Sequence, residues 1–287
     1  SFTTGLQSKF MLVNDKSIYS LDWASMNDSF NGLTPISRAP NDYTNITNNS
    51  SGKWMAISGT HNGNMITTSS DGKTWDRSTQ LPKDIAMLAP DSSVKVFCPY
   101  LYEHECLMFK NSRVWRSTDN GNNWTLLDNN DITSVRDFAC SDMLSYCAIA
   151  GTRLVGNVAV ASLWLSTDRG LSWKLITSLS NNLVTFFPYS VAFIPGGADL
   201  IVGGYVVETS CTSSCPSYVR GAIYTTEMKS TNNSSFIRAI IASPPTQDKA
   251  KTGIDDSIAF HSIGCMRLPL DATSRYCFAT TKSKNQV

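Results

Sequence analysis

Eight cysteines are the residues of this chain with the most chemistry to offer, and they fall into four local pairs: Cys98/Cys106, Cys140/Cys147, Cys211/Cys215 and Cys265/Cys277. Zinc would require ligands grouped at close spacing. There is no Cys-x-x-Cys, and His61, His104 and His261 are scattered. Three of the pairs instead flank short turns between strand-like runs, as in Asp137-Phe-Ala-Cys140 and Tyr146-Cys147-Ala-Ile-Ala. Facing cysteines on adjacent strands meet the reach of a disulfide, so four local cross-links and an oxidising compartment are expected.

Other chemistry is sparse. Asp255-Asp256 is a paired carboxylate in a polar stretch and reads as a solvated turn. No glycine-rich phosphate loop, Gly-x-Ser-x-Gly elbow or His-Glu-x-x-His occurs, so no cofactor and no metal are expected. A formal charge of +1 gives no footprint for nucleic acid, and no apolar run is long enough for a membrane span. Aromatic side chains offer stacking surfaces for a ligand. Tyr100, Tyr102, Phe187 and Tyr189 are the binding candidates, whereas Trp115 and Trp164 occupy equivalent places in a repeat and read as core.

That repeat defines the elements. Ser69-Ser-Asp71-Gly72-Lys-Thr-Trp75, Ser117-Thr-Asp119-Asn-Gly121-Asn-Asn-Trp124 and Ser166-Thr-Asp168-Arg-Gly170-Leu-Ser-Trp173 share one pattern, with aspartates 48 and 49 residues apart. A period of this size marks solenoids or propellers. Ser and Asp side chains cap nearby backbone N–H groups, Gly permits a positive φ, and Trp anchors the strand that starts there. Each motif comes after a β-rich run, so it is a hairpin turn between two strands. Weaker copies lie at Ser20-Leu-Asp22-Trp23 and Thr225-Thr-Glu227. No helical periodicity of useful length appears, and the chain reads as all-β.

The pattern S-x-D-x-G-x-x-W resembles the Asp-box, or BNR repeat, of sialidase-like and sortilin-like β-propellers. The resemblance implies one propeller over residues 1–287, built of four-stranded antiparallel blades, with boxes near 20–23, 69–75, 117–124, 166–173 and 225–227. The chain length over the repeat length gives six blades, with five or seven as alternatives. It also implies that the boxes are structural and sit away from the ligand face. A sialidase would need three arginines for a substrate carboxylate and a Tyr–Glu pair. The candidates are Arg38, Arg220 and Arg267 with Glu208 and Tyr276, but no Arg-Ile-Pro is present and spacing selects none of them.

The sequence therefore reads as a secreted, disulfide-bonded, non-catalytic binding or structural module for a glycan or protein ligand. The alternatives are a sialidase-type glycoside hydrolase and the ligand-binding part of a sortilin-like receptor. Sequons at Asn27, Asn45, Asn48, Asn49, Asn232 and Asn233 in Asn/Ser-rich loops are glycosylation candidates, while Asn123, inside a box, is expected to be inaccessible. The N-terminal segment is expected to complete the last blade within one chain. The same pairing between molecules, giving self-association, is the alternative.

Overall fold

The computed structural model describes residues 2–4, 9–14, 17–22, 35–38, 43–48, 52–60, 63–76, 79–81, 94–98, 104–110, 112–127, 131–141, 145–176, 184–194, 198–209, 217–227, 237–241, 260–267 and 275–281. They fall in two compact units, Ser1–Asn129 and Asn130–Val287.

Three antiparallel meanders make up the first unit. Strands β1 (Phe2–Thr4), β2 (Lys9–Asn14), β3 (Ser17–Asp22) and β4 (Pro35–Arg38) form the first sheet. The second contains β5 (Tyr43–Asn48), β6 (Trp54–Thr60), β7 (Gly63–Ser69) and β8 (Thr79–Gln80). The third contains β9 (Lys95–Phe97), β10 (Cys106–Lys110), β11 (Arg113–Ser117) and β12 (Thr125–Leu127).

The second unit repeats the plan. Its fourth sheet is β13 (Ser134–Cys140), β14 (Cys147–Val155), β15 (Val158–Ser166) and β16 (Lys174–Ile176). The fifth is β17 (Val184–Phe193), β18 (Asp199–Thr209), β19 (Ser217–Glu227) and β20 (Ile237–Ile241), and β21 (Phe260–Arg267) pairs with β22 (Arg275–Thr281).

Within each unit, successive sheets pack face to face. Met55 and Ile57 of the second sheet bury against Val96, Met108 and Trp115 of the third. Ala148, Leu163 and Leu165 of the fourth meet Phe186, Val191, Val202 and Val206 of the fifth. Strand β10 is buried along its whole length rather than at alternate residues, the pattern of a strand covered on both faces. Trp115 and Trp164 are 2% and 1% exposed and belong to the core, as their repeat positions imply.

All three clear boxes connect the third strand of a sheet to the fourth. In each, the serine ends the third strand and its hydroxyl accepts the glycine N–H at 2.8 Å, in the pairs Ser69/Gly72, Ser117/Gly121 and Ser166/Gly170. Gly121 and Gly170 have φ of 81° and 80°, and the residues before them, Asn120 and Arg169, also turn positive. The first box lacks one residue and reverses with Gly72 alone at φ 70°.

Two expected cross-links are present, Cys98–Cys106 and Cys140–Cys147. Each ties the first strand of its sheet to the second. Cys277 is also disulfide-bonded and stands opposite Cys265 in the β21–β22 register. Cys211 and Cys215 lie outside the described residues.

Three expectations are corrected. The N-terminal strand, expected in the last sheet, lies in the first among the described residues: Phe2 pairs with Leu12 and Thr4 with Phe10. A short connection between β1 and β2 makes this local hairpin the cheaper pairing. Asn45 and Asn48, read as loop, belong to β5 and are half-buried. Asn123 is exposed, although its carboxamide is tied to Asp119 Oδ2 at 2.6 Å. Asn27, Asn49, Asn232 and Asn233 lie outside the described residues, as do Asp255 and Asp256.

Candidate functional site

First strands β5, β13, β17 and β21 share an irregularity. Their ladders slip by one residue between Tyr43 and Asn45, Val135 and Asp137, Pro188 and Ser190, and Phe260 and Ser262. The extra residues are Thr44, Arg136, Tyr189 and His261. A bulge leaves its extra residue unpaired and re-aims its side chain away from the alternating pattern.

In the second unit, glycines make two of these bulges feasible. Val135 faces Gly151 and Pro188 faces Gly204 across the first pair of strands. A Cβ at Gly151 would collide with the carbonyl oxygen of Ser134, and one at Gly204 with that of Phe187. Only glycine lets the backbones approach this closely.

The residue after the bulge is polar and works across sheets. Asp137 Oδ2 accepts the N–H of Val191 in β17 at 3.0 Å. In the first unit Asn45 Oδ1 accepts the N–H of Val96 in β9 at 3.0 Å, helped by Thr47 Oγ1 accepting the N–H of Cys98 at 3.3 Å. These bonds clamp successive first strands together at the height of the bulges.

Between β13 and β17 the freed side chains meet. The Arg136 guanidinium lies over the Tyr189 ring, 3.9 Å from its centroid. Tyr189 leans on Tyr205 at 5.7 Å, and Tyr205 is stacked on Phe187 at 4.6 Å with 10° between the planes. Tyr205 is buried, whereas Arg136, Phe187 and Tyr189 are half-buried and present surface. Arg136 Nη1 is itself buried and has no hydrogen-bond partner among the described residues.

Hairpin β14–β15 extends this end of the fourth sheet. Ser134, which opens β13, pairs with Thr152, and the hairpin then continues to Val155 and Val158. At its tip Leu154, Val155 and Val158 are 56%, 48% and 65% exposed.

The sequence candidates fare unevenly. Phe187 and Tyr189 are brought together as one aromatic group, and Tyr100 and Tyr102 lie outside the described residues. The backbone places Arg38 on β4 and Glu208 and Arg220 on the β18–β19 pair, with Arg267 and Tyr276 on β21 and β22. Their side chains lie outside the described residues. Arg136, Asp137 and Tyr205 were missed. Consecutive polar residues in Ser134-Val-Arg-Asp137, and mid-strand glycines at 151, 203 and 204, were the available signals.

The box carboxylates are engaged in local structure. Backbone N–H bonds from Thr74 and Lys73 hold Asp71 down at a pKa of about 2. Asp119 is lowered by the Asn123 backbone and side chain and by Ser117. Burial pushes Asp168 up, but hydrogen bonds from Ser172, Ser166 and the Leu171 N–H outweigh it and the net direction is down. Oxygens committed this fully to capping suit neither metal binding nor proton transfer.

No family model and no curated protein matches the chain. Solved structures do. An enzyme of Niastella koreensis, GH74, is 14% identical with a TM-score of 0.55, over 83% of this chain and 36% of its own. YCF48, solved bound to D1 peptide, is 12% identical with a TM-score of 0.51, over 98% of this chain and 88% of its own. The tricorn protease gives 12% and 0.51 over 79% of this chain and 21% of its own. The chain thus spans about a third of the GH74 enzyme and a fifth of the protease. Together with the four-stranded meanders, these likenesses define the class: the fold is an all-β propeller of antiparallel blades.

Proposed function

We propose that the chain is a secreted, non-catalytic β-propeller of the Asp-box type with six blades, and that it binds a protein ligand through the bulged first strands of residues 130–287. One observation carries this reading. Arg136, Phe187 and Tyr189 present partly exposed surface, and two of them sit at bulge positions made feasible by glycine. Aromatic and arginine side chains anchor protein interfaces out of proportion to their number. The apolar tip of β14–β15, at the end where β13 begins, enlarges the surface. YCF48, which matches nearly the full extent of this chain, was solved with a peptide bound, and that supports a peptide over a small molecule. The disulfides support an oxidising compartment, and no helix is long and apolar enough to cross a membrane among the described residues.

The test uses the immobilised full chain, probed in parallel with a displayed peptide library and a glycan array. Peptides should be recovered, and Phe187→Ala should weaken them by about tenfold, the loss expected for a buried aromatic contact. Its disulfides should remain intact. Recovery of glycans alone, or peptides indifferent to Phe187→Ala, would overturn the reading.

A further inference from the structure

We propose that this site selects a carboxylate carried by an acidic peptide segment, with Arg136 as the residue that holds it; the inference rests on the protein-binding reading above. The arginines of the chain are not treated alike. Arg116 in β11 donates from Nη2 to Glu105 Oε1 at 2.9 Å and so has its counter-charge within its own sheet. Arg136 has a ring in place of an acid. Its planar face is spent on Tyr189, and among the described residues it has no ion-pair partner.

Stacking fixes the plane of a guanidinium and leaves its N–H edge available. Nη1 is buried without an acceptor, which costs free energy, while the rest of the half-buried side chain presents surface. A carboxylate suits a guanidinium held this way, because its two oxygens match the N–H fork and it supplies the missing charge. The adjacent acid does not fill the role in the structure, since Asp137 directs Oδ2 to the Val191 N–H.

The rest of the surface decides what carries the carboxylate. Phe187 lies on Tyr205, which in turn meets the Tyr189 ring under the arginine, and the tip of β14–β15 exposes Leu154, Val155 and Val158. These are contacts for aliphatic and aromatic side chains, and they leave the hydroxyls of a sugar without partners. An acidic residue flanked by apolar ones fits better than an acidic oligosaccharide.

Peptides recovered by display on the wild-type chain are resynthesised with a fluorescent label, each in two forms, with Asp and Glu retained or replaced by Asn and Gln. Binding is measured by fluorescence polarisation to wild type, Arg136→Gln, Arg136→Lys and Tyr189→Leu, with melting recorded for each variant. Wild type should favour the acidic form by about tenfold or more, the usual worth of a hydrogen bond to a charged group. Arg136→Gln should erase that preference, so that the acidic and amide forms bind the variant alike. Arg136→Lys should restore only part of it, because the charge returns without the fork. Equal binding of both forms to wild type, or a preference that survives Arg136→Gln, would overturn the carboxylate assignment. If amide forms bind equally and Tyr189→Leu abolishes both, peptide binding stands and the carboxylate alone falls. Acidic oligosaccharides that bind where every peptide fails would remove both proposals.

Discussion

The Ser-Asp-Gly turns and the bulged first strands solve the same problem, a break in a β-ladder, in opposite ways. In a box, the carboxylate finds its partners within the motif: Asp119 accepts from Ser117 and Asn123, and the Trp124 indole donates to Gly121 O at 3.0 Å. The Asn120 and Arg169 N–H groups reach out to His104 O and Ser145 O. At a bulge the partner is far away in the chain, 54 residues between Asp137 and Val191 and 51 between Asn45 and Val96. Arg136 Nη1 has none among the described residues. A motif whose carboxylate is committed to its own turn is a structural part. A motif that depends on its surroundings holds groups in reserve, and reserve is what a ligand needs.

The largest effect that would test this contrast comes from the glycines behind the bulges. Gly151→Ala and Gly204→Ala place a Cβ against a backbone carbonyl, which cannot yield as a side-chain end can. Each should lose about 3 kcal/mol of stability by denaturant titration, with peptide binding lost at the same time. A variant that melts normally and binds normally would show that the bulges do not depend on these glycines.

Ser117→Ala should separate the two regions from the other side. Its hydroxyl is fully buried and serves Gly121 N and Asp119, so its loss should cost about 1 kcal/mol. Binding by the folded fraction should be unchanged. Weakened binding at normal stability would put the box at the ligand site and break the comparison.

Acid gives the smallest and most graded effect. Asp71, Asp119 and Asp168 all have folded pKa values below the usual carboxylate value of 3.8, that of Asp71 reaching about 2. A depressed pKa contributes stability that is present above the unfolded value and lost as pH falls through the folded one. The melting temperature should therefore decline as pH drops below about 4 toward 2. Asp71→Asn should flatten part of that decline, and an unchanged slope would show that Asp71 takes no part in it.

The same contrast explains what could be read from the amino-acid order alone. Ser, Asp, Gly and Trp of each box lie within eight residues, so their spacing is itself the structure, and it places the strands on either side. The pairing of Cys98 with Cys106 and of Cys140 with Cys147 was legible for the same reason, since each joins neighbouring strands across a short connection. The meeting of Arg136 with Tyr189 was not legible. It depends on a one-residue slip in each of two strands more than fifty positions apart, and local alternation records neither the slip nor the neighbour. Tyr189 was found from its composition alone, as part of an aromatic run, and its cationic partner was passed over. The pairing of Phe2–Thr4 with the neighbouring β2 was not legible either, because an open sheet edge elsewhere offers the same strand an equivalent set of backbone partners.

The bulge also bears on how such a chain can diversify. Most positions in a tightly packed repeat are constrained by two neighbouring sheets at once, so a change in one is felt in the others. On the first strands described with a slip, its slot is held by Thr44, Arg136, Tyr189 and His261. A hydroxyl, a cation, a phenol and an imidazole thus occupy the same address in four repeats of one plan. Single substitutions at that address can change what it offers a ligand while the ladders on either side stay as they are, so specificity and scaffold are separable.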